Sequence, residues 1–383
     1  MDITELLKTA LSHGASDLHM KVGSPPIMRV NGELVPLPSG NRLSNEDTVK
    51  LSLSLMNPGQ RENFKKKNDI DFAYSVPGLG RFRCNAFVQR GTVGITMRTI
   101  PMKIPTIEEL HLPTILNKIA LQQRGLILVT GTTGSGKSTT LAAMIDLINM
   151  SKTVNIVTIE DPIEYLHRDK RGLINQREVG VDTESFAKAL RAALRQDPDV
   201  ILVGEMRDFE TIQTAMSAAE TGHLVLSTLH TLNASETVNR IISFFPPYQH
   251  KQVRLQLAAI LQGIISLRLV PRADGQGRVP AVEILIATAT IKDCIEDADK
   301  TKLIPDAIMQ GKVHYGMQTF DQSLFDLYQA GLIAYEEALR WATNPDDFKL
   351  KVKGVHSTSE VAFTETGKQQ KPDSSIKIER FSK

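Results

Sequence analysis

"GLILVTGTTGSGKSTTLAAMIDLI", residues 125–148, joins an apolar run to a helical pattern through a glycine-rich turn, and its reading decides the fold. Leu126, Ile127, Leu128 and Val129 form the short continuous run expected of a buried strand. Leu141, Ala142, Met144, Ile145 and Leu147 then recur at helical spacing. Between them stands Gly131-x-x-x-x-Gly136-Lys137-Ser138, a Walker A arrangement in the strand–loop–helix setting that such a loop needs. The glycines let successive backbone N–H groups turn inward around a β-phosphate, and the helix N-terminus adds positive potential. Thr133, Gly134, Ser135, Gly136, Lys137, Ser138 and Thr139 are therefore the expected ATP-binding residues. Lys137 should reach the β- and γ-phosphates, and the Ser138 hydroxyl should ligate Mg2+. A chance glycine-rich turn is the alternative, and the flanking strand and helix argue against it.

Three more apolar runs follow, in "VNIVTIED", "DVILVGEM" and "HLVLSTLH", with helical stretches between them. Such alternation implies an α/β fold, a mostly parallel sheet covered on both faces. Glu160, Asp161 and Glu164 fall just beyond the first of these strands, and Glu205 at the carboxyl end of the second. Ligands of open α/β sheets sit past the carboxyl ends of the strands, so these carboxylates are expected to converge on the phosphates. ATP hydrolysis needs one carboxylate near Mg2+ and another to orient or deprotonate water. Arg207, two residues past Glu205, is expected to face elsewhere. In "TGHLVLSTLHTLNA", residues 221–234, His223 and His230 flank the third run. Each reads as a hydrogen-bonded or solvent-facing histidine, or as a donor to the γ-phosphate that couples nucleotide state to the next helix.

The remaining residues bound the possibilities. The chain has 383 residues, 41% of them apolar and 23% charged, which is enough for two or three globular domains. Against 45 Lys and Arg stand 43 Asp and Glu, a formal net charge of +2, so no basic footprint of a nucleic-acid binder exists. Cys84 and Cys294 lie far apart and no Cys-x-x-Cys spacing occurs, which excludes a zinc ribbon. No apolar run approaches the roughly 20 residues of a membrane span, and the amino terminus lacks the marks of a signal peptide. A cytoplasmic chain is expected.

Residues 1–98 read as a small α+β domain. Asp2 and Glu5 suggest a capping box for a helix over residues 2–13. A hairpin turned at Asn31-Gly32, a helix over residues 44–56, and antiparallel strands turned at Pro77-Gly78 and Arg90-Gly91 follow. Residues 99–113, with Pro101, Pro105 and Pro113, read as an extended interdomain linker. Residues 114–350 make the ATPase domain, with helical segments continuing to about residue 343, and residues 351–383 read as a disordered polar tail.

"GTTGSGKST", "TIEDPIEY", "ILVGEMRD" and "TGHLVLSTLHT" in this order resemble the secretion ATPase superfamily, the hexameric motors of type IV pili and type II secretion. "MDITELLKTALSHGASDLHMKVGSPPIMRVNGEL" and "GMQTFDQSLFDLYQAGLI" are similar to the ends of pilus retraction ATPases of the PilT/PilU type. The resemblance implies a PAS-like amino-terminal domain joined to a RecA-like P-loop ATPase domain, and a homo-hexamer whose linker lets the domains pivot. It implies that Glu164 is the catalytic carboxylate, that Glu205 holds the Mg2+ shell through water, and that His230 is the histidine-box residue with His223 beside it. Arg83 and Arg98, with Arg81 close by, match small-domain arginines that reach a nucleotide across or within the subunit junction.

The implied function is ATP-driven pilus retraction and twitching motility, at the cytoplasmic face of the inner membrane. The implied partners are the pilus platform protein and, in some systems, a paralogous retraction ATPase. Extension and secretion relatives commonly carry a tetracysteine zinc site and a further amino-terminal domain, and the chain as given carries neither. Residues 292–301 depart from the stretch at which retraction motors carry an arginine. Two other readings use the same core. A nucleic-acid translocase is disfavoured by the near-neutral charge and by only 5% aromatic residues. A nucleotide-gated scaffold without useful turnover is disfavoured by intact Lys137, Glu164 and Glu205.

Overall fold

The computed structural model describes residues 2–354 apart from residues 31, 39, 40 and 102. The expected disordered tail lies, from residue 355 onward, outside the described residues. The first half is built on a six-stranded antiparallel sheet of order β3-β2-β1-β6-β5-β4. Its strands are β1 (Asp17–Met20), β2 (Ile27–Val30), β3 (Glu33–Pro36), β4 (Asp69–Val76), β5 (Gly80–Gln89) and β6 (Thr92–Ile100). Along β5, Phe82, Cys84 and Ala86 point into a core with Leu7, Met28 and Ile95, which leaves Arg81 and Arg83 on the other face. Three helices, Ile3–Ser12, Asn45–Leu55 and Pro58–Lys67, complete this unit. The last of these, together with β1, carried too weak a pattern to be read from the sequence.

The expected capping box at the amino terminus does not form. Asp2 accepts from Thr4 N at 3.0 Å, while Glu5 accepts from Lys8 Nζ at 2.9 Å, a charge one helical turn away. The proline-rich stretch also departs from an extended chain. Thr106 and Glu109 exchange backbone and side-chain bonds of 2.9 and 3.1 Å across a turn. Ile107 and Leu112 are buried with Leu116 and Ile119, because apolar residues within reach of a core fold onto it.

The second half is a seven-stranded sheet of order β13-β12-β7-β11-β10-β8-β9. It comprises β7 (Gly125–Thr130), β8 (Asn155–Glu160), β9 (Leu173–Glu178), β10 (Val200–Val203), β11 (Leu224–Leu229), β12 (Leu261–Pro271) and β13 (Arg278–Ile286). Every neighbouring pair is parallel except β12 and β13. Leu126 and Leu128 enter one core with Ile212, Ala215 and Val238. Ile127 and Val129 enter another with Met144, Ile145 and Ile148, so β7 is buried on both faces as its unbroken apolar run requires.

The expectation of helices alone up to residue 343 was incomplete. Residues 261–286 form the β12–β13 pair, whose nine paired positions end at Gly263 and Ile286. The alternating run "ISLRLVP" and the largely apolar run "RVPAVEILI" flank an Asp-Gly-containing turn, a hairpin signal. Val270, Val279 and Ala281 of this pair pack against Phe320, Leu324 and Phe348, so a last layer of helices ends with Pro345–Val352. No helix among the described residues is long and apolar enough to cross a membrane.

Candidate functional site

Parallel strands put four chain crossings at one edge of the sheet. Thr130 pairs with Leu229, and Val203 pairs with both Ser227 and Ile159. The phosphate loop after β7, His230 after β11, Glu205 after β10 and Glu160 at the end of β8 therefore stand side by side.

Gly131 has φ +139°, and a Cβ there would lie 2.5 Å from Ser135 Oγ and 2.6 Å from Leu267 O, so only glycine lets the loop close. The helix Lys137–Ser151 begins at Gly136, φ +97°, with no side chain capping it. Its first N–H groups remain available to an anion. Lys137 Nζ donates to the carbonyl oxygens of Gly131 at 2.8 Å and Thr132 at 3.0 Å. Burial lowers its pKa, and the negative charge of Glu205 opposes that shift. Thr133 and Gly134 are exposed on the rim, Ser138 lies exposed in the first turn of the helix, and the buried Ser135 Oγ has no partner among the described residues.

Glu205 is held from two sides. Ser227 Oγ donates to Val203 O and Thr228 Oγ1 to Gly204 O, each at 2.7 Å, which pins the turn before it to β11. Arg207 Nε meets Glu205 Oε1 at 2.7 Å, so Arg207 does not face elsewhere as expected, because a carboxylate only 15% exposed captures the nearest guanidinium. His230 Nε2 stands 3.6 Å from the other oxygen, Oε2, with its side chain 47% exposed. His223 is not brought to this edge. It precedes β11 at the far end of the strand, about 20 Å away for six residues, and its Nδ1 lies 2.8 Å from Ala218 O. That is the hydrogen-bonded alternative of the sequence reading.

Glu160 is enclosed. Thr158 Oγ1 donates to its Oε1 at 2.6 Å and Gln176 Nε2 at 3.2 Å, while burial pushes its carboxyl pKa up. Asp161 and Glu164 are exposed. The segment that carries Glu164 is tied to the phosphate-loop helix by a 3.0 Å hydrogen bond between Thr139 Oγ1 and Tyr165 OH. A second tie is the Lys170–Asp146 ion pair at 2.7 Å.

The three arginines separate. Arg83 on β5 lies directly opposite Arg98 on β6, on the face away from the core. Arg98 Nε donates to Asp17 Oδ1 at 2.8 Å while its side chain stays 69% exposed. Burial would raise the Asp17 carboxyl, but the bonds from Arg98 and Ser16 outweigh it and hold its pKa below the ordinary range. Arg81 instead crosses to the other sheet, where its Nη2 pairs with Glu178 Oε2 at 3.0 Å. Within one chain none of the three is hydrogen-bonded to the phosphate loop.

Two features escaped the sequence reading. A cavity of about 450 Å³ opens beside Gly131–Ser135 and is lined further by Leu232, Leu269, Arg278 and Trp341. Its far wall comes from the helices beyond β13, and nothing local in the sequence announces that they return to the loop. The other is Glu283 on β13, buried, whose Oε1 accepts from Ala234 N at 2.8 Å in the helix after His230. Burial pushes its carboxyl up to about 7, against the helix N–H and Arg268, which stabilise the charge. An acid inside the apolar run "AVEILI" was the signal for it.

Comparison with known proteins places this geometry. The family model for the type II/IV secretion system protein matches residues 1–302. The type IV pilus retraction ATPase PilT of Pseudomonas aeruginosa is 48% identical over 350 residues, 91% of this chain and 100% of that protein. The type IV pilus ATPase PilU of the same organism is 46% identical over 353 residues, 92% of each chain. The crystal structure of the pilus retraction motor PilT with bound ADP superposes with a TM-score of 0.84 at 48% identity, covering 91% of this chain and 98% of that one. A parallel sheet with a phosphate loop, a second antiparallel sheet ahead of it, and a near-full-length match to named ATPases agree: the chain belongs to the type IV pilus ATPases of the type II/IV secretion system family.

Proposed function

We propose that this chain hydrolyses MgATP as a six-membered ring and so drives retraction of a type IV pilus. It would act at the cytoplasmic face of the inner membrane, on the platform protein of the pilus machinery, alone or beside a paralogous retraction ATPase. In this reading residues 1–98, with β6 running on to Ile100, are the small domain, and the stretch up to residue 113 is the linker on which it pivots. Residues 114–350, with the last helix running on to Val352, are the ATPase domain, followed by a tail to residue 383. The observation that carries it is the alignment of the phosphate loop, His230 and Glu205 on adjacent parallel strand ends. The likeness to the pilus ATPases over nine tenths of the chain supports the direction of the work.

The chemistry follows from the residues. Loop N–H groups and Lys137 bind the β- and γ-phosphates, and Lys137 leaves the carbonyls of Gly131 and Thr132 for the stronger charge. The Ser138 hydroxyl and the Glu205 carboxylate are hard oxygen donors of the kind magnesium takes, Glu205 through water. Bound there with ATP, the ion would supply positive charge against the phosphates. Glu164 orients or deprotonates water, and its exposure leaves it reachable. His230 donates to the γ-phosphate, and Glu160 and Asp161 shape the nucleotide site between these groups.

Glu164→Gln and Glu205→Gln are each expected to lower steady-state phosphate release about a hundredfold while nucleotide binding persists. Parallel losses of affinity and rate in either variant would assign that residue a structural role. His230→Ala is expected to slow hydrolysis on the order of a hundredfold, the usual cost of a lost donor to developing charge. Because the ring is half exposed, the melting temperature without nucleotide should hold. A lowered melting temperature with parental specific activity would return His230 to a packing role.

A further inference from the structure

Glu178 ends β9 and is buried, with 4% of the residue exposed. A single carboxylate oxygen, Oε2, accepts from two distant parts of the chain. Arg81 Nη2 of the small sheet donates at 3.0 Å, and the backbone N–H of Ile163 donates at 3.2 Å. Ile163 is itself buried and immediately precedes Glu164. The position of Glu178 is fixed from behind, since its own N–H donates to Asp182 Oδ2 at 2.9 Å and β9 pairs with β8 up to Glu160.

These bonds leave few alternatives for either donor. A buried N–H without an acceptor costs free energy comparable to a lost hydrogen bond, so Ile163 depends on Glu178. Arg81 Nε has no partner among the described residues, and Nη1 makes only a long 3.4 Å bond to Ser75 Oγ. Glu178 is thus the one strong anchor of the Arg81 side chain, which is 18% exposed. Removing one member of such a pair strands the other and loosens both.

We infer that Glu178 is a positioning residue that couples the attitude of the small sheet, through Arg81, to the backbone presenting Glu164. The coupling rests on the proposed catalytic role of Glu164. A movement of β5 that carries Arg83 toward or away from a neighbouring site pulls on Arg81, and Glu178 transmits that pull to Ile163. Arg81, expected from the sequence as a nucleotide contact, is in this account the handle of the coupling.

The test uses the full chain and two readouts. Hydrogen exchange of the segment spanning residues 161–165 is followed in the parent, Arg81→Ala, the isosteric Glu178→Gln and the double variant, all without nucleotide. Arg81→Ala is expected to speed exchange there although Arg81 does not touch Ile163. Each single variant should lose about tenfold in kcat with KM for ATP changed less than about threefold, and the double variant should lose no more than the weaker single. Unchanged exchange in Arg81→Ala, or losses that multiply in the double variant, would overturn the coupling. Lys137→Ala, run alongside, separates this inference from the ATPase reading. Parental turnover in Lys137→Ala would sink the ATPase reading even if exchange reports the tie. An inert Lys137→Ala with unchanged exchange in Arg81→Ala would sink only the tie.

Discussion

Lys137→Ala is expected to leave phosphate release below about a tenth of the parental rate, with the fold intact. Among the described residues Lys137 is the only ammonium placed inside the phosphate loop, and its two bonds are to the loop's own carbonyls. Truncation removes the charge that meets the β- and γ-phosphates. The cost to the nucleotide-free fold is small, because burial already works against the ammonium and the alanine suits a helix's first turn. Turnover above that level in the purified variant would show that the loop is not the site of hydrolysis.

The second large effect concerns the paired arginines. Arg83→Ala and Arg98→Ala are each expected to reduce hydrolysis in the assembled ring by about 10³-fold, the usual worth of an arginine delivered to transferring phosphoryl charge. Like charges directly opposite on a sheet face are destabilising, and although Arg98 is paired with Asp17 at 2.8 Å, Arg83 brings a second like charge opposite it. A phosphate from a neighbouring subunit would offset that added charge. Arg207, the nearest arginine to Glu205 in the same chain, is already engaged by that carboxylate at 2.7 Å and is not a free substitute. Rings mixed from Lys137→Ala and Arg83→Ala chains should regain part of the activity, since some junctions then pair an intact loop with an intact arginine. Mixed rings as inactive as either parent would leave an in-cis role for Arg83 or strict cooperativity around the ring. Parental activity in both single variants would remove the arginines from the mechanism.

Much of the second half was legible because its signals are local. An unbroken apolar run such as "GLILVT" buries on both faces, and the loop glycines supply the positive-φ positions that the turn needs, so β7 and the phosphate loop could be read together. Glu205 and His230 followed from parallel strand order, which places strand ends at one edge. His223 shows the limit: it flanks the same strand, and direction along that strand decides which end faces the nucleotide. The partner of Arg207, the bond from Arg81 to Glu178, and the cavity wall at Trp341 depend on contacts between residues far apart in sequence. No local pattern encodes these, since each arises from how the two sheets and the last helices pack. The β12–β13 pair was missed for a different reason. Its two apolar runs about an Asp-Gly turn were present, but they lie between helical segments and were absorbed into them.

The central claim, that ATP hydrolysis at this site powers pilus retraction, is tested most directly by imaging labelled fibres. The strain is one that lacks this chain and is complemented with the parent or with Lys137→Ala at matched expression. The account predicts fibres that extend and shorten with the parent and that extend without shortening with Lys137→Ala. Shortening at parental frequency with Lys137→Ala, or none with a parent shown to hydrolyse ATP, would contradict it.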